Sequence, residues 1–199
     1  MTVGILAFHG DFAEHIDLLG SMGVHSIEVR SLKDLEKVDR LIIPGGESTV
    51  MARFLEETGV GEEIRRRVEG KSAKGQEGKI EHPLAVFGTC AGAILVAKNA
   101  TGKKAPPPLR LIDIDVDRNA YGTQMNSFET EIKVRGLKRP LPAAFIRAPK
   151  ITRVGSSVEI LSVHDSTPVL VRQGRVLAAT FHTEVRGERA LHEMFLRMS

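Results

Sequence analysis

The chain has a single cysteine, and its setting is that of a nucleophile. Cys90 lies in Phe87-Gly88-Thr89-Cys90-Ala91-Gly92-Ala93, between an apolar run, Leu84-Ala85-Val86-Phe87, and a helix-like run from Ala91 to Lys98. A reactive side chain at the tip of a strand-to-helix turn needs small neighbours, because the turn is tight and both backbone and substrate must approach it. The helix N-terminus behind it favours a thiolate through unpaired N–H groups and the dipole. Without this frame a lone cysteine reads as a packing residue. With it, the thiol calls for a base.

Among seven histidines, the sharpest candidate is His182 in Ala178-Ala179-Thr180-Phe181-His182-Thr183-Glu184, just after a strand-like run. His182 and Glu184 are two apart, so in extended backbone they point the same way. Glu184 could then accept from one imidazole nitrogen while the other faces a thiol. The spacing alone also allows a solvated pair leading into the last helix. A zinc site is the competing chemistry, since His-x-Glu occurs in zinc deaminases, but those need further cysteine ligands. His9, His15, His25, His82, His164 and His192 show no ligand spacing either, so no metal is expected. There is no Walker A sequence, no Gly-x-Gly-x-x-Gly after a strand and no Gly-x-Ser-x-Gly. A third chemical stretch is Pro44-Gly45-Gly46-Glu47-Ser48-Thr49, where adjacent glycines free the backbone to expose N–H groups.

These residues need elements to position them. Val3 to Phe8 and Leu41-Ile42-Ile43 are continuous apolar runs suited to buried parallel strands, and Val24 to Val29 is a further strand candidate. A helix should begin near Asp11, with Asp11 capping, Glu14 three residues on, and Phe12, Ile16 and Leu19 on one face. Lys33 to Lys37 suggests a short helix. Val50, Met51, Phe54 and Leu55, then Val60, Ile64 and Val68, mark two more helices. Lys71 to Glu81 reads as a surface loop rather than a domain boundary, and Pro106-Pro107-Pro108 ends a stiff connector. Strand-like runs then dominate: Leu109 to Val116, Glu129 to Val134, Ala143 to Ile146, Val158 to Val163, Val169 to Arg172 and Val176 to Ala179. A final helix should start near Gly187, with Leu191, Met194, Phe195 and Met198 on one face. Strand–helix alternation followed by shorter strands predicts one α/β domain over residues 1–199, a three-layer doubly wound sheet that is mixed but mostly parallel. His9, Gly45-Gly46 and Cys90 each follow a strand, so their loops should share the carboxyl edge, where such sheets bind ligands.

Composition narrows the classes. With 199 residues the chain can bury a real core, and its 42% hydrophobic and 27% charged content is that of a soluble globular protein. One cysteine excludes a disulfide framework and fits a reducing cytoplasm. No apolar run reaches membrane-span length, no signal-peptide pattern precedes Val3, and a formal charge of +3 gives nucleic acid little to act on.

Taken together the motifs resemble, in order, those of class I (triad) glutamine amidotransferases. A finer resemblance is to the glutaminase-subunit family of pyridoxal 5′-phosphate synthase (the PdxT family). It rests on His9-Gly10 with Glu14-His15, Gly45-Gly46-Glu47-Ser48-Thr49, Asp117-Arg118-Asn119-Ala120-Tyr121-Gly122, Ser127-Phe128-Glu129 and Phe145-Ile146-Arg147-Ala148-Pro149, and runs from about Val3 to the last helix. The resemblance implies a Cys90–His182–Glu184 triad that converts glutamine to glutamate and ammonia through a glutamyl thioester. It places Gly46, Glu47 and Ser48 against glutamine, with Arg118 and the Ile146-Arg147 pair completing the pocket. An arginine suits the α-carboxylate; the alternative for Arg118 is an ion pair with a neighbour such as Asp117, and for Arg147, set in an apolar stretch, a solvated role fits less well. Ala91 N–H and the Gly45-Gly46 segment, with Gly46 as donor, are the candidates for the oxyanion.

No cofactor is implied. The implied partner is the barrel subunit of pyridoxal 5′-phosphate synthase (PdxS-type) in a large hetero-oligomer, which takes up the ammonia. The alternatives are a glutaminase subunit for histidine or purine biosynthesis, or a docking homologue without turnover. Two departures stand out. The family usually has Gln-Gly where this chain has His9-Gly10, a position associated with synthase contact and coupling of the oxyanion loop, and His9 could still donate a hydrogen bond there. It usually has His-Pro-Glu where this chain has His182-Thr183-Glu184, so the fixed φ of proline is lost.

Overall fold

The computed structural model describes residues 2–70, 83–119 and 127–198. The Lys71–Glu81 loop and the Ala120-Tyr121-Gly122 stretch lie outside the described residues. The first half alternates as expected: β1 (Val3–Leu6), α1 (Phe12–Ser21), β2 (Ser26–Val29), a one-turn α2 (Leu32–Leu35), β3 (Arg40–Ile43), α3 (Ser48–Glu57), α4 (Val60–Glu69), β4 (Ala85–Thr89) and α5 (Ala91–Val96). Then come β5 (Ala97–Thr101), β6 (Ile112–Asp117), β7 (Phe128–Ile132), β8 (Leu141–Phe145), β9 (Lys150–Val154), β10 (Glu159–His164), β11 (Thr167–Gln173) and β12 (Val176–Ala179). A 3-10 turn over Glu184–Arg186 leads into α6 (Ala190–Leu196).

Seven strands form the main sheet in the order β10-β11-β12-β4-β3-β1-β2. The five from β12 to β2 are parallel; β11 and β10 extend them antiparallel. This is the mixed, mostly parallel sheet anticipated, and alternation along its strands makes the three layers. Leu41, Ile43 and Val86 face a core built with α3, α4, α5 and β6. Ile42, Phe87 and Leu177 face the opposite core, built with α1, α6 and the β7–β8 hairpin.

The structure departs from the sequence reading at several elements. The helix after Cys90 stops at Val96, and Ala97–Thr101 is a strand, because the proline connector folds back: Leu109 N–H and Leu111 N–H take the carbonyls of Leu95 and Val96, and β5 pairs with β6. Strand β9 was not expected; its polar residues Lys150, Thr152 and Arg153 break any apolar alternation, and pairing with β6 defines it. Asp11 sits at the N-cap of α1 but its side chain makes no capping hydrogen bond, and its carboxylate turns elsewhere. No helix among the described residues is long and apolar enough to cross a membrane.

Because β1, β3, β4 and β12 run parallel, the segments that leave their carboxyl ends share one edge. His9-Gly10 follows β1, Gly45-Gly46 follows β3, Cys90 follows β4 and His182 follows β12.

Candidate active site

Cys90 occupies a backbone conformation that side chains rarely adopt, φ 49° and ψ −104°. Such a geometry costs about 1–3 kcal/mol and persists only where its surroundings enforce it. The Cys90 N–H is fixed by Ala179 O at 2.8 Å, tying the turn to β12. The flanking glycines are contact requirements. A Cβ on Gly92 would overlap the carbonyl oxygen of Ile43, and one on Gly88 would lie 2.6 Å from Gly92 O. The turn thus folds back onto β3 and onto itself with no room for a methyl group. Ala91 opens α5, so its N–H belongs to the first turn, which has no intrahelical acceptor.

The base is held from a different direction. His182 pairs with Ala144 of β8 through two backbone hydrogen bonds, His182 N–H to Ala144 O at 2.8 Å and Ala144 N–H to His182 O at 2.9 Å. Its Nδ1 meets Glu184 Oε1 at 2.5 Å, which leaves Nε2 for the thiol. Spacing alone would join this pair through an extended backbone. The actual path turns at Thr183, φ −115° and ψ −27°, into the 3-10 segment. That turn lets the Thr183 N–H donate to Glu184 Oε2 at 2.9 Å.

Electrostatics match a charge-separated pair. Burial opposes the charged form of His182, but hydrogen bonding and the charges of Cys90 and Glu184 outweigh it and lift its pKa to about 10. Burial would push the Glu184 carboxyl up, yet the imidazoles of His15 and His182 hold it at about 2. As a thiol, Cys90 Sγ donates to Ile146 O at 3.7 Å; as a thiolate it faces His182. Asp11 Oδ2 stands 4.0 Å from His182 Nδ1, adding a second, half-exposed carboxylate beside the base.

The glycine loop closes over this pair. Gly46 has φ 139°, and a Cβ on Gly45 would run into His182 Cε1. Gly45 O accepts from Asp11 N–H at 3.2 Å, and Glu47 N–H donates to His9 Nδ1 at 3.3 Å. The role expected of His9 is therefore inverted: it accepts. Glu47 caps α3 through the N–H and hydroxyl of Thr49, and the same Oε1 receives Arg118 Nη2 at 2.5 Å. Arg118 also donates to the carbonyls of Lys103 and Lys104. Its ion partner is Glu47, not the neighbouring Asp117. Ser48 is buried, and its Oγ has no hydrogen-bond partner among the described residues. Ile146 and Arg147 are exposed, Arg147 at φ 47°, beside the carbonyl that touches Cys90. The apolar stretch around Arg147 therefore belongs to β8 and does not bury the arginine.

Two buried residues escaped the sequence reading. His15 of α1 and His192 of α6 are both fully inaccessible, and their rings meet at Nδ1 and Nε2 over 2.8 Å. His15 Nε2 lies 3.3 Å from Thr89 Oγ1 and 3.6 Å from Glu184 Oε1. The available signal was position: His15 shares a helical stripe with Phe12 and Leu19, and His192 falls one turn before Phe195.

The arrangement supplies a nucleophile, a base, a carboxylate that orients the base and nearby N–H groups, which is the apparatus of acyl transfer. Among the described residues no group of three or more His, Cys, Asp or Glu is placed to hold a metal ion.

Residues 5–199 match the sequence model of the SNO glutamine amidotransferase family. The pyridoxal 5′-phosphate synthase subunit PdxT of Thermus thermophilus is 46% identical over 198 residues, covering 100% of this chain and 97% of that protein. The protein of the same name from Thermotoga neapolitana is 45% identical over 199 residues, covering 100% and 99%. A crystal structure described as a glutamine amidotransferase superposes with a TM-score of 0.88 at 44% identity, covering 98% of this chain and 97% of the other. The structure of PurLQS from Thermotoga maritima, with a TM-score of 0.66 at 15% identity over 98% and 96%, shares the fold alone.

Proposed function

The chain belongs to the SNO glutamine amidotransferase family, and on that premise we propose that it hydrolyses L-glutamine to L-glutamate and ammonia and passes the ammonia to the barrel subunit of pyridoxal 5′-phosphate synthase. The observation that carries the reading is the Cys90–His182–Glu184 arrangement on the carboxyl edge of the sheet, with His182 Nδ1 bound to Glu184 at 2.5 Å.

The Cys90 thiolate attacks the side-chain amide carbon of glutamine, forming the C–S bond. His182, carrying the proton, delivers it to the amide nitrogen as the C–N bond breaks and ammonia leaves. Water then attacks the thioester, giving its proton to His182, and the C–S bond breaks to release glutamate and the thiolate. Glu184 keeps the imidazolium oriented and electrically matched throughout. Ala91 N–H and Gly46 N–H take the oxyanion of each tetrahedral intermediate. Turning the Gly45–Gly46 peptide costs the Gly45 O bond to Asp11 N–H, so the loop has a defined resting state. For the substrate's ends, Glu47 suits the α-ammonium and Arg118 the α-carboxylate; glutamine divides their mutual ion pair between its own two charges. Ser48, Ile146 and Arg147 complete the pocket in this reading.

Free ammonia is protonated and diluted in water, so a sheltered transfer to a docked synthase fits the chemistry. The test is glutamate release by the chain with and without the synthase subunit. Cys90→Ala must abolish release; full activity in that variant ends the proposal.

A further inference from the structure

A buried histidine pair lies directly behind the triad, and the hydrolysis steps above do not use it. His15 reaches both ends of the catalytic apparatus: Thr89, the residue before the nucleophile, at 3.3 Å, and the Glu184 carboxylate at 3.6 Å. His192 closes on its far side at 2.8 Å. Three elements therefore converge on one imidazole: α1, which carries it, the end of β4, and α6.

We propose that His15 is a positioning residue for Glu184, and that His192 sets the tautomer in which it works. The proton count decides the direction. One proton lies between His15 Nδ1 and His192 Nε2. If His15 gave it, its own Nε2 would turn a lone pair toward a carboxylate, and the remaining His192 N–H would be at Nδ1. That atom is buried with no hydrogen-bond partner among the described residues. A buried orphan donor and a lone pair against a negative charge are both costly. If His192 gives it, His15 Nε2 carries its N–H toward Glu184 and Thr89, every ring proton has an acceptor, and the orphan atom is a lone pair. The second arrangement is the one this packing selects.

The consequence reaches the chemistry through Glu184. Its Oε2 is held by Thr183 N–H, and its Oε1 is shared between His182 and the side facing His15. The Nε2–H, hydrogen-bonded to Thr89 Oγ1 and 3.6 Å from Oε1, presents positive charge density to that oxygen and favours the carboxylate rotation that aligns it with His182 Nδ1. Burial opposes a charge on either histidine of the pair: His15 lies below its ordinary value and His192 is near 3. The other charged groups that face His15 are His182, from the segment after β12, and Asp11 and Glu14, at the start of α1.

This inference rests on the glutaminase reading for its rate effects, so the test pairs two measurements on the full chain. One is glutamate release in the presence of the synthase subunit. The other is the pH dependence of Cys90 alkylation by iodoacetamide, which reports the thiolate–imidazolium pair whatever the substrate. His15→Phe keeps ring volume and loses the donor. It should slow release about tenfold or more with little change in KM, because Glu184 loses the neighbour that limits its rotation. It should also move the upper limb of the alkylation profile, where the His182 imidazolium loses its proton, downward by about half a pH unit or more, because a misaligned Glu184 stabilises the imidazolium less. His15→Gln restores a donor and should recover most of both. His192→Phe should shift the limb in the same direction.

Wild-type alkylation in His15→Phe overturns the proposal, as does a His15→Gln protein displaced as far as His15→Phe, which would leave packing as the only role. Should His15→Phe not fold, His192→Phe with an unmoved limb overturns the tautomer assignment. A wild-type chain that releases no glutamate with the synthase would sink the glutaminase reading while the alkylation arm still decides this one.

Discussion

The backbone N–H of Thr183 donates to the carboxylate of Glu184 at 2.9 Å, so the residue between base and carboxylate is itself a ligand of that carboxylate. Proline has no N–H to give and fixes φ near −65°, whereas Thr183 sits at −115°. Thr183→Pro should therefore destabilise this chain by about 1.5–3 kcal/mol, the worth of a hydrogen bond to a charged group, as read by urea denaturation, and slow glutamine hydrolysis. Thr183→Val is the control. It keeps the N–H and removes an Oγ1 that is buried without a partner among the described residues, so stability should hold or rise by up to about 1 kcal/mol.

Glu184→Gln preserves shape and removes charge. The lift on His182 shrinks, the imidazolium loses its buried counter-ion, and turnover should drop by about 10²–10⁴ while the fold survives, by analogy with triads whose carboxylate is made an amide. Single-turnover kinetics should place the loss in thioester formation; a loss confined to KM would argue against it.

Gly45→Ala and Gly92→Ala separate two uses of glycine. A methyl group on Gly92 meets backbone, the Ile43 carbonyl, which cannot yield without moving β3; a loss of about 2 kcal/mol or more in thermal denaturation is expected. On Gly45 the methyl group meets the His182 ring. There the fold should tolerate the change better than activity does.

The pH dependence of stability has a worked sign. His192 is pushed down to about 3 by burial, and the unfolded chain takes up that proton near 6.5. Between those values the unfolded state binds more protons, so stability falls on acidification by about 1.4 kcal/mol per pH unit for each such histidine. His15, shifted the same way, adds to the slope. Chemical denaturation at pH 7, 6 and 5 should show it, and His192→Phe should flatten it.

His9 accepts the Glu47 N–H through Nδ1. His9→Ala removes that acceptor and should loosen the glycine loop and slow hydrolysis, while His9→Gln, whose side-chain carbonyl also accepts, should keep most of the activity. Steady-state hydrolysis by the two variants beside the unaltered chain checks it.

The meeting of Cys90, His182 and Glu184 was legible in the sequence because its cues are local: glycines two positions either side of Cys90, and a carboxylate two residues from His182. The sheet edge followed from apolar runs that end at those motifs. What was not legible depends on contacts distant along the chain. Nothing near Ala144 announces that it will hold His182. His15 and His192, 177 residues apart, are two ordinary histidines until α1 and α6 pack on the same face of the sheet. Asp11 shows the opposite failure: a good local rule, the helix cap, gave way to a tertiary neighbour, His182. Arg118 likewise found a partner in Glu47, across the sheet edge, before any adjacent charge.

The insertion of β12 between β4 and β11 also dates the active site within the life of the chain. Cys90 is made early, but the strand that takes its N–H and the base that follows that strand come roughly ninety residues later, by the spacing of Ala179 and His182 from Cys90. Until the last parallel strand docks, the thiol has no imidazolium beside it and its turn lacks the hydrogen bond that holds it. A nascent or half-folded chain therefore carries a thiol without its base, and activation of the cysteine coincides with completion of the sheet.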